Sequence, residues 1–169
     1  MNATRSALVI GLLCATVHAA AEPPAARPDA PCERFVQVRP SVPPASVGPC
    51  TDLRRRDLRQ LPMRGAKLDG SRLSQSRLDY ADLTEASLVN VTLVHSNLSH
   101  ARLSGANLRN ANMHDAVLTM ADLRNADLRG ANLGRAKLYG TTLRGALFDD
   151  DTRLPFSRDI ALQKGMIKY

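Results

Sequence analysis

The chain has 169 residues, 23 basic and 16 acidic, for a formal charge of +7; aromatic residues make up 4% and there is no tryptophan. A positive surface favours anionic partners, but so few aromatics deny nucleic-acid bases a stacking platform. Material for catalysis is also thin, since one of the four histidines and one of the three cysteines lie within the first 21 residues.

Residues 1–21 have the pattern of a secretory signal peptide: MNATRS is positively charged, ALVIGLLCATV is an apolar run of eleven residues, and HAAAE supplies small residues for cleavage after Ala19 or Ala21. The run is too short to cross a bilayer as a stable helix, so no transmembrane span is expected after cleavage. Cys14 follows Leu13, where a lipoprotein signal requires a small side chain, and it leaves with the signal. The expected location is therefore periplasmic or secreted. Export leaves Cys32 and Cys50, and an even cysteine count in an oxidising compartment predicts a disulfide between them. Two cysteines with no nearby histidine make a poor metal-ligand set. Residues 22–50 are a linker and N-terminal cap segment whose prolines bar helix and central strand. Within them the alternating FVQVR is expected to lay one short strand over the open end of the repeat block.

From 51 to 150 leucines recur every five residues, at Leu68, Leu73, Leu78, Leu83, Leu88, Leu93, Leu98, Leu103 and Leu108, with a small residue two places before nearly every one, as in ADLTE, ANLRN and ADLRG. A period of five is neither the two of a strand nor the 3.6 of a helix. If the alanine (position i−2) and the leucine (position i) both face inward, the pair is locally extended, and the other three residues must turn a corner. Four corners close a square coil of about 20 residues, and coils stack at about 4.8 Å, so twenty centres from Leu53 to Phe148 make about five coils in a rod of about 24 Å. Arg56 at an inward position argues that the first coil is frayed or a cap and that the regular stack begins near Leu61 or Ala66. Ser71, Ser76, Val91, Ser96 and Thr141 are small or branched and keep the pattern. Asparagines and aspartates at i−1 are expected to form turns by bonding neighbouring backbone.

These pentads resemble the pentapeptide-repeat proteins, whose consensus is A(D/N)LXX. The resemblance covers about 100 of the 169 residues. It implies an all-β fold, a right-handed quadrilateral β-helix of about five coils. Residues 151–169 resemble the terminal cap of other members, with Ser157 capping a short helix over 158–164 and Gly165 stopping it. Their apolar residues, Leu154, Phe156, Ile160, Leu162, Met166 and Ile167, either cover the open end or form a homodimer. The best-known family function is mimicry of duplex DNA by acidic members that bind DNA gyrase, which a basic chain with an export signal does not match.

Charge and chemistry then limit the surface. The repeat block holds 15 basic and 11 acidic residues, a balance of +4. Assigned to faces in rotation, Arg109, Arg124, Arg129 and Arg144 form a basic band on the C-terminal half, with Asp122 and Asp127 close by. The band is expected to be a solvated, partly self-neutralised surface, or to meet an anionic envelope component or an envelope protein. No catalytic residue, cofactor or metal is expected. The alternative is a metal protein or enzyme using His95, His114 and Asp115, which share one convex patch. The function expected is an exported, non-enzymatic scaffold or interaction module with a rigid repeat surface.

Overall fold

The computed structural model describes residues 36–37 and 48–169. Residues 51–150 form five stacked coils. Each i−1 residue from Asp52 to Asp127 bridges, in parallel, the residue twenty positions on, as in Asp52↔Arg72, Arg72↔Thr92 and Thr92↔Asn112. We number the faces 1 to 4, centred in the first coil on Leu53, Leu58, Met63 and Leu68. The backbone accounts for the period of five. In each pentad of the three inner coils the i−1 N–H donates to the coil below and the i N–H to the coil above, as in Arg72 to the Thr51 carbonyl at 2.9 Å and Leu73 to the Thr92 carbonyl at 2.7 Å. The corner closes when the next i−2 N–H returns to the carbonyl of i, as Ala81 does to Leu78 at 3.0 Å. The i+2 residue between them has φ near +60°, with Tyr80 at 61°, His100 at 58° and Gly130 at 67°. A turn with positive φ at its second central residue alone is type II.

Within this frame the side chains sort themselves. Leu68 to Leu108 and Ala101 to Ala131 are buried at every i and i−2 position. Each buried leucine contributes about 1.5–3 kcal/mol of apolar transfer. The serines that replace alanine are satisfied: Ser76 and Ser96 each donate to the preceding leucine carbonyl at 2.6 Å, and Ser71 accepts from the Thr51 N–H at 3.0 Å. The backbone of the first coil is as regular as the rest, contrary to the expectation from Arg56, although Arg56, Leu61 and Ala66 are only half-buried. Asp52, Asp57 and Pro62 make the same bridges, and Leu53 and Met63 are buried. Arg56 is only half-buried and has an interaction partner, so its guanidinium never enters a dry interior.

Both ends are covered. β1 (Val36–Gln37) pairs in parallel with β2 (Thr51–Asp52), so a strand from FVQVR does lie over the first coil. Cys50 occupies the first corner with φ 58° and is disulfide-bonded; its partner lies outside the described residues, as do Cys32 and residues 1–21. At the other end the repeat runs one corner further than its spacing shows. One extra residue is absorbed at 149–152, so Asn132 bridges Arg153 rather than residue 152. The Asp149 carboxylate organises that wider corner, accepting from the Gly130 and Thr152 N–H groups, both at 2.9 Å, and from the Thr152 hydroxyl at 2.7 Å. β3 (Leu147–Phe148) then pairs in parallel with β4 (Ile167–Lys168). Between them lies α1 (Arg158–Gln163), capped by Ser157 and followed by Gly165 at φ 76°. Ala161 and Met166 are buried, and Leu154 and Phe156 pack against the core, while Ile160, Leu162 and Ile167 are exposed.

Candidate interaction surface

In the inner coils only i−1, i+1 and i+2 side chains reach solvent, and their directions are set by one repeated local geometry. An Asp or Asn at i−1 accepts the i+1 N–H through Oδ1, and when i+1 is arginine the same carboxylate takes the guanidinium in a fork. Asp122 receives the Arg124 Nε and Nη2 at 2.8 and 2.7 Å, and Asp127 receives those of Arg129 at 2.9 and 2.6 Å. The Asp52–Arg54 and Asp57–Arg59 pairs repeat the arrangement. Where i+1 is Thr84 or Ser99 the hydroxyl donates instead, to Asp82 at 2.6 Å and to Asn97 at 2.7 Å. The turn-forming role expected for i−1 is therefore specific: these residues orient their i+1 neighbour. The Arg59 guanidinium holds the Asp57 carboxyl down at about 2, and Arg124 holds that of Asp122 below the usual range. Burial opposes ionisation of Asp127, yet the hydrogen bonds from Arg129 keep its carboxyl below the usual range as well.

The four arginines of the basic band thus differ. Arg124 and Arg129 are neutralised by their forks, and Arg129 also lies 4.3 Å from the Tyr169 ring centroid. Arg109 and Arg144 make no ion pair among the described residues.

At the corner after face 1, His114 Nδ1 lies 2.7 Å from one Asp115 oxygen, and Arg135 Nε lies 3.1 Å from the other. His95 stands one coil below Asp115. Among the described residues no group of three His, Cys, Asp or Glu lies close enough to hold a metal, so His95, His114 and Asp115 do not form the ligand set the alternative required.

The corner after face 2 holds what the repeat spacing did not single out. Its i+2 column runs Gln60, Tyr80, His100, Met120, Gly140. The Tyr80 and His100 rings stack with centroids 4.7 Å apart and an interplanar angle of 2°. Met120 lays its sulfur where a Gly140 side chain would otherwise stand. Tyr80, Met120 and Tyr139 are 56%, 51% and 80% exposed, and they are the large exposed apolar residues of the coils. Reading the i+2 and i+1 residues at intervals of twenty reveals this ridge from sequence.

The model of pentapeptide repeats matches in eight copies over residues 63–93, 86–125 and 106–145. No curated protein matches the chain. A solved pentapeptide repeat protein from the cyanobacterium Cyanothece 51142 is 41% identical over 49% of this chain and 60% of its own, with a TM-score of 0.31. One from Nostoc PCC 7120 is 32% identical over 70% of this chain and 84% of its own, with a TM-score of 0.30. QnrB1, a plasmid-mediated fluoroquinolone resistance protein, is 17% identical over 70% of this chain and 58% of its own, with a TM-score of 0.61, a likeness of fold alone. The chain thus spans about three fifths of the length of the first and third of these. With its inward pair every five residues, its twenty-residue coil and its eight matched repeats, the chain belongs to the pentapeptide-repeat family.

Proposed function

We propose that the protein is an exported, non-enzymatic interaction rod, a right-handed quadrilateral β-helix that presents a fixed polar array to an anionic envelope component or an envelope protein. The observation that supports this most directly is the repeated fork at i−1 and i+1, which orders outward side chains on a backbone whose coils are bonded to one another. Ordered side chains lose little entropy on binding, which suits a recognition surface. Export and the Cys32–Cys50 bridge belong to this reading, the bridge tying the cap segment to the first corner. The net charge of +7 is opposite to what a mimic of DNA needs, so protection of gyrase is not part of it.

Crosslinking the protein in its native envelope is expected to recover a defined envelope partner. Replacing Arg109, Arg124, Arg129 and Arg144 together should weaken envelope association at low salt. Unchanged association would remove the basic band from the reading, and a cytoplasmic location of the untreated protein would remove the export.

A further inference from the structure

The last coil is electrically one-sided. Its first three faces, residues 131–145, contain Arg135, Lys137 and Arg144 and no carboxylate, whereas Asp149, Asp150 and Asp151 come after the fourth. Arg135 is held by Asp115, but Lys137 and Arg144 are exposed and make no ion pair among the described residues. Between these two cations stands the exposed corner of Tyr139, with Met120 laid across Gly140 beside it. Above the same side runs α1. Arg153 sits over Asn132 on face 1, and the Gly165 carbonyl accepts from the Gly145 N–H at the corner after face 3, at 2.7 Å. Residues 155–164 therefore replace faces 2 and 3 of a sixth coil, and they add the exposed Ile160 and Leu162.

An exposed tyrosine, a thioether and two aliphatic side chains flanked by free cations match the interface of an anionic bilayer. There an amphipathic ring sits at headgroup level and lysine and arginine meet phosphate. We propose that this end of faces 2 and 3 docks on an anionic lipid bilayer, with Tyr139 and Met120 at the headgroup boundary and Lys137 and Arg144 on lipid phosphates. The proposal rests on the reading that the rod meets an anionic partner, and it names that partner and narrows the contact from the four-arginine band to its Arg144 end, with Lys137 added.

The absence of tryptophan makes the contact directly readable. Tyr139→Trp places a lone tryptophan, selectively excited over the tyrosines, at the docking corner, and Asn90→Trp places one at the diagonally opposite corner, both in the full-length chain. With vesicles of phosphatidylcholine containing about 30% phosphatidylglycerol, Tyr139→Trp emission should shift to the blue and be quenched by brominated acyl chains; Asn90→Trp should do neither, and vesicles of phosphatidylcholine alone should give no shift. Adding Lys137→Glu and Arg144→Glu to Tyr139→Trp should weaken binding by at least about fivefold per residue. Equal responses of the two reporters, no response from Tyr139→Trp, or no effect of the charge reversals would each overturn the lipid assignment. Binding to soluble polyphosphate in the same series separates the two readings: retained there and absent on vesicles, it leaves the anionic reading standing without lipid; absent on both, it removes both.

Discussion

A left-handed backbone recurs at every corner from Cys50 to Gly145, and at Tyr80, His100 and Met120 it is imposed on residues with a side chain. Each such residue costs about 1 kcal/mol or more relative to glycine. The stack offsets this by giving the i+2 N–H a partner in the next coil, as Tyr80 has in the Ser99 carbonyl at 3.0 Å. Gly65 and Gly140 separate the two demands on such a site. Both have positive φ, but nothing lies near Gly65, whereas the Met120 sulfur fills the space at Gly140. Gly65→Ala should cost about 1 kcal/mol from backbone strain alone. Gly140→Ala should cost more, because Met120 must also leave; equal shifts of the denaturant midpoint would contradict this. A second prediction concerns pH. Asp57, Asp122 and Asp127 have folded pKa values below their unfolded ones, with Asp57 near 2. Their stabilisation is therefore complete above the unfolded carboxylate value of about 4 and is lost as pH falls toward 2. Denaturant midpoints should be flat from neutral pH to about 5 and then fall, and Asp122→Asn together with Asp127→Asn should flatten that fall.

For a single pentad, the inward pair is what a substitution tests. Leu103 is fully buried with no room to relax between stacked neighbours, so Leu103→Ala should cost about 2–5 kcal/mol in equilibrium unfolding. Ser76→Ala should be nearly neutral, within about 1 kcal/mol. The Leu73 carbonyl that accepts the hydroxyl also accepts the Ser76 N–H at 3.1 Å, so nothing is left unpaired, and alanine already fills this position elsewhere. Much of the element level was legible beforehand. The extended pair, the corners, the strand from FVQVR and the helix from Ser157 to Gly165 all arise from residue type and spacing. Arg56 misled because an inward backbone position was equated with a dry side-chain environment, and burial at an end coil depends on what lies above it. The extra corner at 149–152 was hidden by one inserted residue, which breaks a count in fives although Asp149 rebuilds the turn.

In the whole molecule, twenty residues are the unit that can be removed. Deleting 91–110 preserves every parallel pairing of the coils and should leave a cooperative but less stable rod, by circular dichroism and thermal melting. Deleting only 101–105 shifts all later faces by one corner and sets α1 and β4 over the wrong sides, so its melt should broaden or the chain aggregate. The cap uses Ala161 and Met166 to close the core, which supports covering over dimerisation. Sedimentation should show a monomer at micromolar concentration, and a dimer abolished by Ile167→Ser would place the interface there instead.

By itself the sequence determined the coil, because a five-residue period leaves the backbone one way to bury two side chains and turn a corner, and that constraint is local. Which residues share a column follows from four corners to a coil, which the family resemblance implies and the twenty-residue bridges carry. The tertiary structure alone decided which charges are paired and which are free. Arg124 and Arg129 are forked by neighbours two residues away, whereas Lys137 and Arg144 make no ion pair among the described residues. It likewise decided that Tyr139 and Met120 meet the end of the rod that α1 covers. Those relations depend on where the chain stops coiling and how the cap crosses it, and an insertion of one residue at Asp149–Thr152 was enough to set both.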